Sequence, residues 1–220
     1  MENKRIIFSE ALERVRHDIL AMSSLVEEGL GKALSALQNN DKELAKTVRE
    51  GDAVVNTMQL TIEDAAVILI ATQQPVARDL REIFTILKIT VNLERAGDHA
   101  VHLAKTAIKL SGKASFRAMG RLERMVKTGQ QMIRACISAY LKQDAEAARQ
   151  AAAMDDIIDG EHKKLSEEML RLMKKRPELL KKALRFLHTS GDLERMGDHI
   201  TNICEAIIYM IESRHEELNE

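Results

Sequence analysis

The sequence predicts an all-α protein made of two tandem three-helix bundles related by an internal pseudo-twofold repeat, and three observations carry that prediction. The 220 residues contain only two prolines and ten glycines, too little punctuation for a multistranded sheet. Apolar side chains make up 45% of the chain, with 3% aromatic, and they recur at steps of three and four rather than in alternation. The order of caps, prolines and acids occurs twice: Asp41 matches Asp144 at an offset of 103, Pro75 matches Pro177 at 102, and Glu94 matches Glu194 at 100.

The periodicity places helices over 8–38, 42–72, 77–110, 115–142, 145–174 and 178–212. Asn39, Asn40 and Asp41 offer a cap to the second helix, and Gln143 and Asp144 stand at the matching place before the fifth. Pro75 and Pro177 are expected to open the third and sixth, where a missing N–H is tolerated. Short connections make neighbouring helices antiparallel, which divides the chain into a first bundle over 1–112 and a second over 113–220.

Composition excludes several function classes. Lys plus Arg total 33 against 34 Asp plus Glu, so no global positive field exists to attract nucleic acid. The longest apolar run, Ala65 to Ala71, is far short of the roughly 20 residues that span a bilayer, so no direct membrane insertion is expected. Met1 to Glu10 has only Ile6, Ile7 and Phe8 as an apolar patch, too little for a signal-peptide core, and the expected location is cytoplasmic. Cys136 and Cys204 lie in apolar helical patterns without a Cys-x-x-Cys pair and read as inert core thiols.

The residues that carry chemistry are acids. Glu94 and Asp98, and again Glu194 and Asp198, are four apart and share a helix face. The series Leu80, Phe84, Leu87, Val91, Glu94, Asp98, Val101 steps by fours and threes, placing both acids on a seam that is apolar on either side. Such acids need compensation from Arg95 and Arg195, from solvent at a bundle edge, or from a bound cation, and the sequence leaves the three open. The neighbouring helix carries Asp52 with Asn56 in the first half and Asp155 with Asp159 in the second, both at an offset of 103, so antiparallel packing brings acid pairs face to face. Four oxygen-bearing side chains without Cys suit Mg, Mn, Fe or Ca rather than zinc, and the fully acidic second set is expected to bind more strongly. Gly97 and Gly197, inside the motif, each cost a helix about 1 kcal/mol relative to Ala, which points to a close approach there. His99 and His199 turn away from the acids' face, and His102, four beyond Asp98, is a candidate extra ligand in one half only, since its counterpart is Asn202.

Enzyme readings lack their parts. No phosphate-binding loop, Gly-x-Ser-x-Gly or His-Glu-x-x-His motif occurs. A carboxylate-bridged metal oxidase uses Glu-x-x-His from each of two helices, whereas Asp159-x-x-His162 and Glu212-x-x-His215 do not recur in the other half.

The twice-occurring Glu-Arg-x-Gly-Asp, at Glu94 to Asp98 and Glu194 to Asp198, stands beside Gln74-Pro75-Val76-Ala77-Arg78-Asp79-Leu80-Arg81 and Glu50-Gly51-Asp52-Ala53-Val54-Val55-Asn56. With these segments the whole chain resembles the PhoU family of phosphate-specific transport system accessory proteins. The resemblance implies mono- or multinuclear metal clusters of iron, manganese or magnesium at Glu94, Asp98, Asp155, Asp159, Glu194 and Asp198. Asp52 and Asn56 complete the first-half set, with an amide where the motif has a second acid. The resemblance also implies a cytoplasmic, non-enzymatic negative regulator of phosphate uptake and the Pho regulon. Its implied partners are the phosphate ABC transporter ATPase and the phosphate sensor histidine kinase. A homodimer is expected because helical adaptors with exposed seam residues associate. The competing readings are a metal-free structural adaptor and, further off, a metal oxidase.

Overall fold

The computed structural model describes residues 2–109 and 116–219, so the expected boundary between 112 and 113, and the expected helix ends at 110 and 115, lie outside the described residues. The helices are α1 (Glu2–Asn39), α2 (Lys42–Gln73), α3 (Arg78–Lys109), α4 (Phe116–Lys142), α5 (Ala145–Ala152), α6 (Asp155–Lys175) and α7 (Leu180–Glu212), with a 3-10 turn at Pro177–Leu179. No strand occurs among the described residues. The first bundle is α1, α2 and α3; the second is α4, the broken pair α5 and α6, and α7.

Each helix forms because one stripe of it is apolar. In α1 the residues Leu12, Val15, Ile19, Met22, Val26, Leu30, Ala33 and Leu37 repeat by threes and fours and are all buried. Asp41 caps α2 by accepting from the Leu44 N–H at 2.9 Å, and Asp144 caps α5 by accepting from the Ala147 N–H at 2.9 Å. The repeat extends to the turns, where Asn40 and Gln143 both take φ 54°.

Two local expectations are corrected. The helix expected over 145–174 is broken at Ala153 and Met154, where bonds from Met154 N–H to Ala151 C=O (3.3 Å) and from Ile157 N–H to Met154 C=O (3.1 Å) tighten the ladder. This break starts α6 at Asp155. Pro75 does not open α3: it follows Gln74, whose left-handed conformation (φ 49°) ends α2, and the new helix begins three residues later at Arg78. Pro177 opens the 3-10 turn that leads into α7.

The halves are not beads on a string. α3 packs most extensively against α7, and α1 also meets α4, so one continuous core holds residues of both halves. Contacts pair Arg81 with Met210, Thr85 with Ala206, Asn92 with His199 and Thr106 with Thr189, so α3 and α7 run antiparallel along most of their lengths. The two Glu-Arg-x-Gly-Asp motifs therefore sit at the middle of this crossing.

Because α3 is packed by α1, α2 and α7, its buried arc is wide and includes Ile83, Ile86, Ile89, Leu93, Ala96 and Ala100. The expected Leu80–Phe84–Val91 seam is consequently an edge, with those residues 44%, 45% and 38% exposed. Cys136 and Cys204 are fully buried, and burial pushes the Cys136 thiol well above its usual value, as expected of core thiols. By length and composition α2 is apolar enough to cross a bilayer, with 22% of its most apolar window buried, although Glu63 and Asp64 interrupt that stretch.

Candidate metal centre

In each half the pair on α2 or α6 faces the Glu/Asp pair on the neighbouring helix, α3 or α7. In the first half α2 brings Asp52 and Asn56 to Glu94 and Asp98 of α3. Asn56 Nδ2 donates to Asp52 Oδ2 at 3.3 Å, while Asn56 Oδ1 is buried without a hydrogen-bond partner. Burial, then the charge of Asp98, raises the Asp52 carboxyl above its ordinary range. Glu94 is raised by the same two causes, and it also feels Asp52 and Glu63. Arg95 lies 3.6 Å from both Glu94 and Asp98, so part of the charge is met from within α3.

The second half is more crowded. α6 brings Asp155 and Asp159 to Glu194 and Asp198 of α7. Asp155 is buried; Thr201 donates its hydroxyl to Oδ2 at 3.1 Å, but Oδ1 is buried with no partner. Burial first, then Asp159, pushes the Asp155 carboxyl up to about 7. Asp159 and Glu194 are also raised, in each case by burial and then by the charge of Asp198.

The glycines separate the two halves. A Cβ on Gly197 would fall 2.0 Å from Asp155 Oδ1, so this helix position is a cradle for the carboxylate. A Cβ on Gly97 would meet only Val26 and Val55 at 3.6 Å, an ordinary contact. The expected close approach exists at Gly197 and not at Gly97.

These residues fit a hard cation: each set is built from oxygen donors and carries a buried oxygen with no partner. All eight expected residues (Asp52, Asn56, Glu94, Asp98, Asp155, Asp159, Glu194, Asp198) gather in two groups, one per half.

Sequence reasoning missed two neighbours of these groups. His162, one turn beyond Asp159, faces Glu194 and Asp159 and lies 3.0 Å through Nδ1 from the Ser190 hydroxyl. Its Asp-x-x-His spacing was visible, but the repeat equivalent, Gln59, hid it. Glu63 adds its charge at Glu94 and is hidden in the same way by Ser166. A ferritin-type oxidase would need a second Glu-x-x-His, and at that place α7 has Glu194-x-x-Gly197. His99 and His199 leave the acids' face, as their spacing predicts, and lie in the α3–α7 crossing with ring centroids 5.7 Å apart. His102 turns to Asp192 of α7 rather than to Asp98's group.

Comparison with known proteins agrees with this architecture. The PhoU domain family model matches twice, over residues 19–107 and 122–207, which are the two repeats. A Clostridium acetobutylicum protein named phosphate-specific transport system accessory protein PhoU homolog is 35% identical, over 98% of this chain and 99% of its own. The Escherichia coli phosphate-specific transport system accessory protein PhoU is 32% identical, over 94% of this chain and 86% of its own. The crystal structure of PhoU from Pseudomonas aeruginosa superposes with a TM-score of 0.89 at 35% identity, covering 94% of this chain and all of that one. The phosphate transport system regulatory protein PhoU from Streptococcus pneumoniae gives a TM-score of 0.88 at 31% identity, covering 96% and 99%. The chain belongs to the PhoU family.

Proposed function

We propose that this protein is a cytoplasmic, non-enzymatic, metal-binding adaptor that represses phosphate uptake and the Pho regulon when phosphate is plentiful, acting between the phosphate ABC transporter ATPase and the sensor histidine kinase. The observation that carries the metal reading is Asp155: a buried carboxylate with an unpartnered oxygen, cradled on Gly197 and surrounded by Asp159, Glu194 and Asp198. The regulatory reading is supported by the accessory and regulatory names of relatives that match almost the whole chain.

A bound iron, manganese or magnesium ion, alone or in a multinuclear cluster, supplies positive charge between the facing acids. The chain's part is to hold those acids: α6 delivers Asp155 and Asp159, α7 delivers Glu194 and Asp198, and Thr201 fixes one oxygen of Asp155. Compensated in this way, α6 and α7 keep one relative position, and the surface they present to a partner becomes rigid. Binding then shifts a conformational population in that partner. Association into a homodimer is supported by the outer face of α2, where Leu60, Val67 and Ile68 are about 60% exposed.

Deleting the gene should release phosphatase expression in high phosphate; expression that stays repressed would contradict the regulatory role. A pull-down with transporter ATPase and kinase domains tests the partners. One observation favours a metal-free adaptor in the first half, namely Arg95 against Glu94 and Asp98. Metal analysis after chelator-free purification, with Asp155→Asn/Asp159→Asn as control, separates the two readings.

A further inference from the structure

The pseudo-twofold symmetry of the α3–α7 crossing is broken at one place. On one side Asn92 Oδ1 lies 3.0 Å from His199 Nδ1 and 3.5 Å from Asn202 Nδ2. The repeat equivalents of those three residues are Asp192, His99 and His102, and they meet on the other side in the same arrangement. Asp192 Oδ1 is 3.4 Å from His102 Nδ1 and 3.9 Å from His99 Nδ1. One side is thus a neutral, hydrogen-bonded group, and the other is a carboxylate with two imidazoles.

His99 distinguishes the second side from a simple polar contact. It is 7% exposed, and its Nδ1 is buried, points toward Asp192 and has no hydrogen-bond partner. The same atom of His199 is satisfied by Asn92. A buried ring nitrogen left unpartnered is costly unless something else takes its lone pair.

We propose that His99, His102 and Asp192 form a metal site, separate from the acidic groups, that takes a borderline divalent ion such as Zn²⁺ and ties the two halves together. His99 and His102 are three apart and share a face of α3, and Asp192 comes from α7. One ligand atom from each residue lies within 4.8 Å of the others. Tetrahedral zinc with bonds of about 2.0–2.1 Å spaces its ligands at about 3.3 Å. The His102–Asp192 pair, at 3.4 Å, is already at that spacing, and His99 Nδ1, at 3.9 Å from the same oxygen, has to close about half an ångström on it. Two imidazoles and a carboxylate select zinc and its neighbours over magnesium, the reverse of the oxygen-only groups. Three protein ligands leave a fourth position, and the His102 side chain, 45% exposed, opens it to water. Arg195 and His199 also face His99 and oppose the charge of Asp192, so affinity falls below that of a closed four-ligand site.

The test is a Zn²⁺ titration of the full-length protein with ¹⁵N-labelled histidine, in excess Mg²⁺ to occupy the oxygen-only groups. One equivalent of Zn²⁺ should shift the ring nitrogens of His99 and His102. His102→Ala and Asp192→Asn, both at partly exposed positions, should abolish those shifts with the far-UV spectrum unchanged, whereas Asp155→Asn/Asp159→Asn should leave them intact. Asn92→Asp/Asn202→His, if folded, should add a second equivalent sensed at His199. Rings of His99 and His102 that do not respond to Zn²⁺, shifts that survive Asp192→Asn, or a folded Asn92→Asp/Asn202→His that gains no equivalent would each overturn the proposal.

Discussion

Gly97→Ala and Gly197→Ala make the same chemical change at equivalent places in the two repeats, yet the structure assigns them opposite outcomes. At Gly97 the new methyl would sit 3.6 Å from Val26 and Val55, so the variant should collect the helix-propensity gain of up to about 1 kcal/mol. At Gly197 the methyl would sit 2.0 Å from Asp155 Oδ1. Carbon–oxygen contacts settle near 3.3 Å, so the carboxylate has to retreat by about 1.3 Å. That displacement breaks the 3.1 Å bond from Thr201. At pH 8, where Asp155 is ionised, a hydrogen bond to a charged group contributes about 1.5–3 kcal/mol, which outweighs the propensity gain and leaves a net loss of about 1 kcal/mol. Guanidinium unfolding followed by circular dichroism, in chelator, should therefore separate the two variants by about 2 kcal/mol, with wild type between them. Equal stabilisation by both substitutions would refute the cradle.

Other consequences follow from the same geometry. Asp155 has a folded-state value of about 7 against an ordinary 3.8, so between those values the folded protein keeps a proton the unfolded chain has released. Metal-free stability should therefore fall as pH rises from about 4 to 7 and then level off; Asp155→Asn should flatten the fall in thermal-melt series, and a rise across that window would contradict the assignment. Asn56→Asp completes a four-carboxylate first group, so calorimetry should show tighter Mn²⁺ binding there and lower stability of the metal-free form. Arg121→Ala removes the 2.7 Å partner of Glu161, which is 5% exposed, and should cost about 3 kcal/mol in denaturant unfolding; a loss below about 1 kcal/mol would show that Arg124 and Lys164 suffice.

Much of this architecture was legible because helix stripes and caps are local. The steps of three and four in α1 and the paired caps Asp41 and Asp144 act within one or two turns. The break at Ala153 was not legible, since no glycine or proline marks it and it arises from a change of hydrogen-bond ladder. The Leu80–Phe84–Val91 seam lies at an edge, one of the alternatives its sequence leaves open. A helix packed by three neighbours has several apolar arcs, and periodicity does not say which one faces the core. The facing of the acid pairs was visible through the repeat, because the same pairs recur on neighbouring antiparallel helices in both halves. The reliance on symmetry also hid His162 and Glu63, whose equivalents differ in chemistry. The meeting of His99 with Asp192 depends on how two similar bundles dock, which no local pattern encodes.

The most direct measurement is anomalous diffraction from crystals of the wild-type protein soaked in Mn²⁺. The account predicts a manganese peak among Asp155, Asp159, Glu194 and Asp198, with Asp155 Oδ1 among its ligands, and a weaker peak beside Asn56. Side chains turned apart into solvent, with no anomalous density between them, would contradict it.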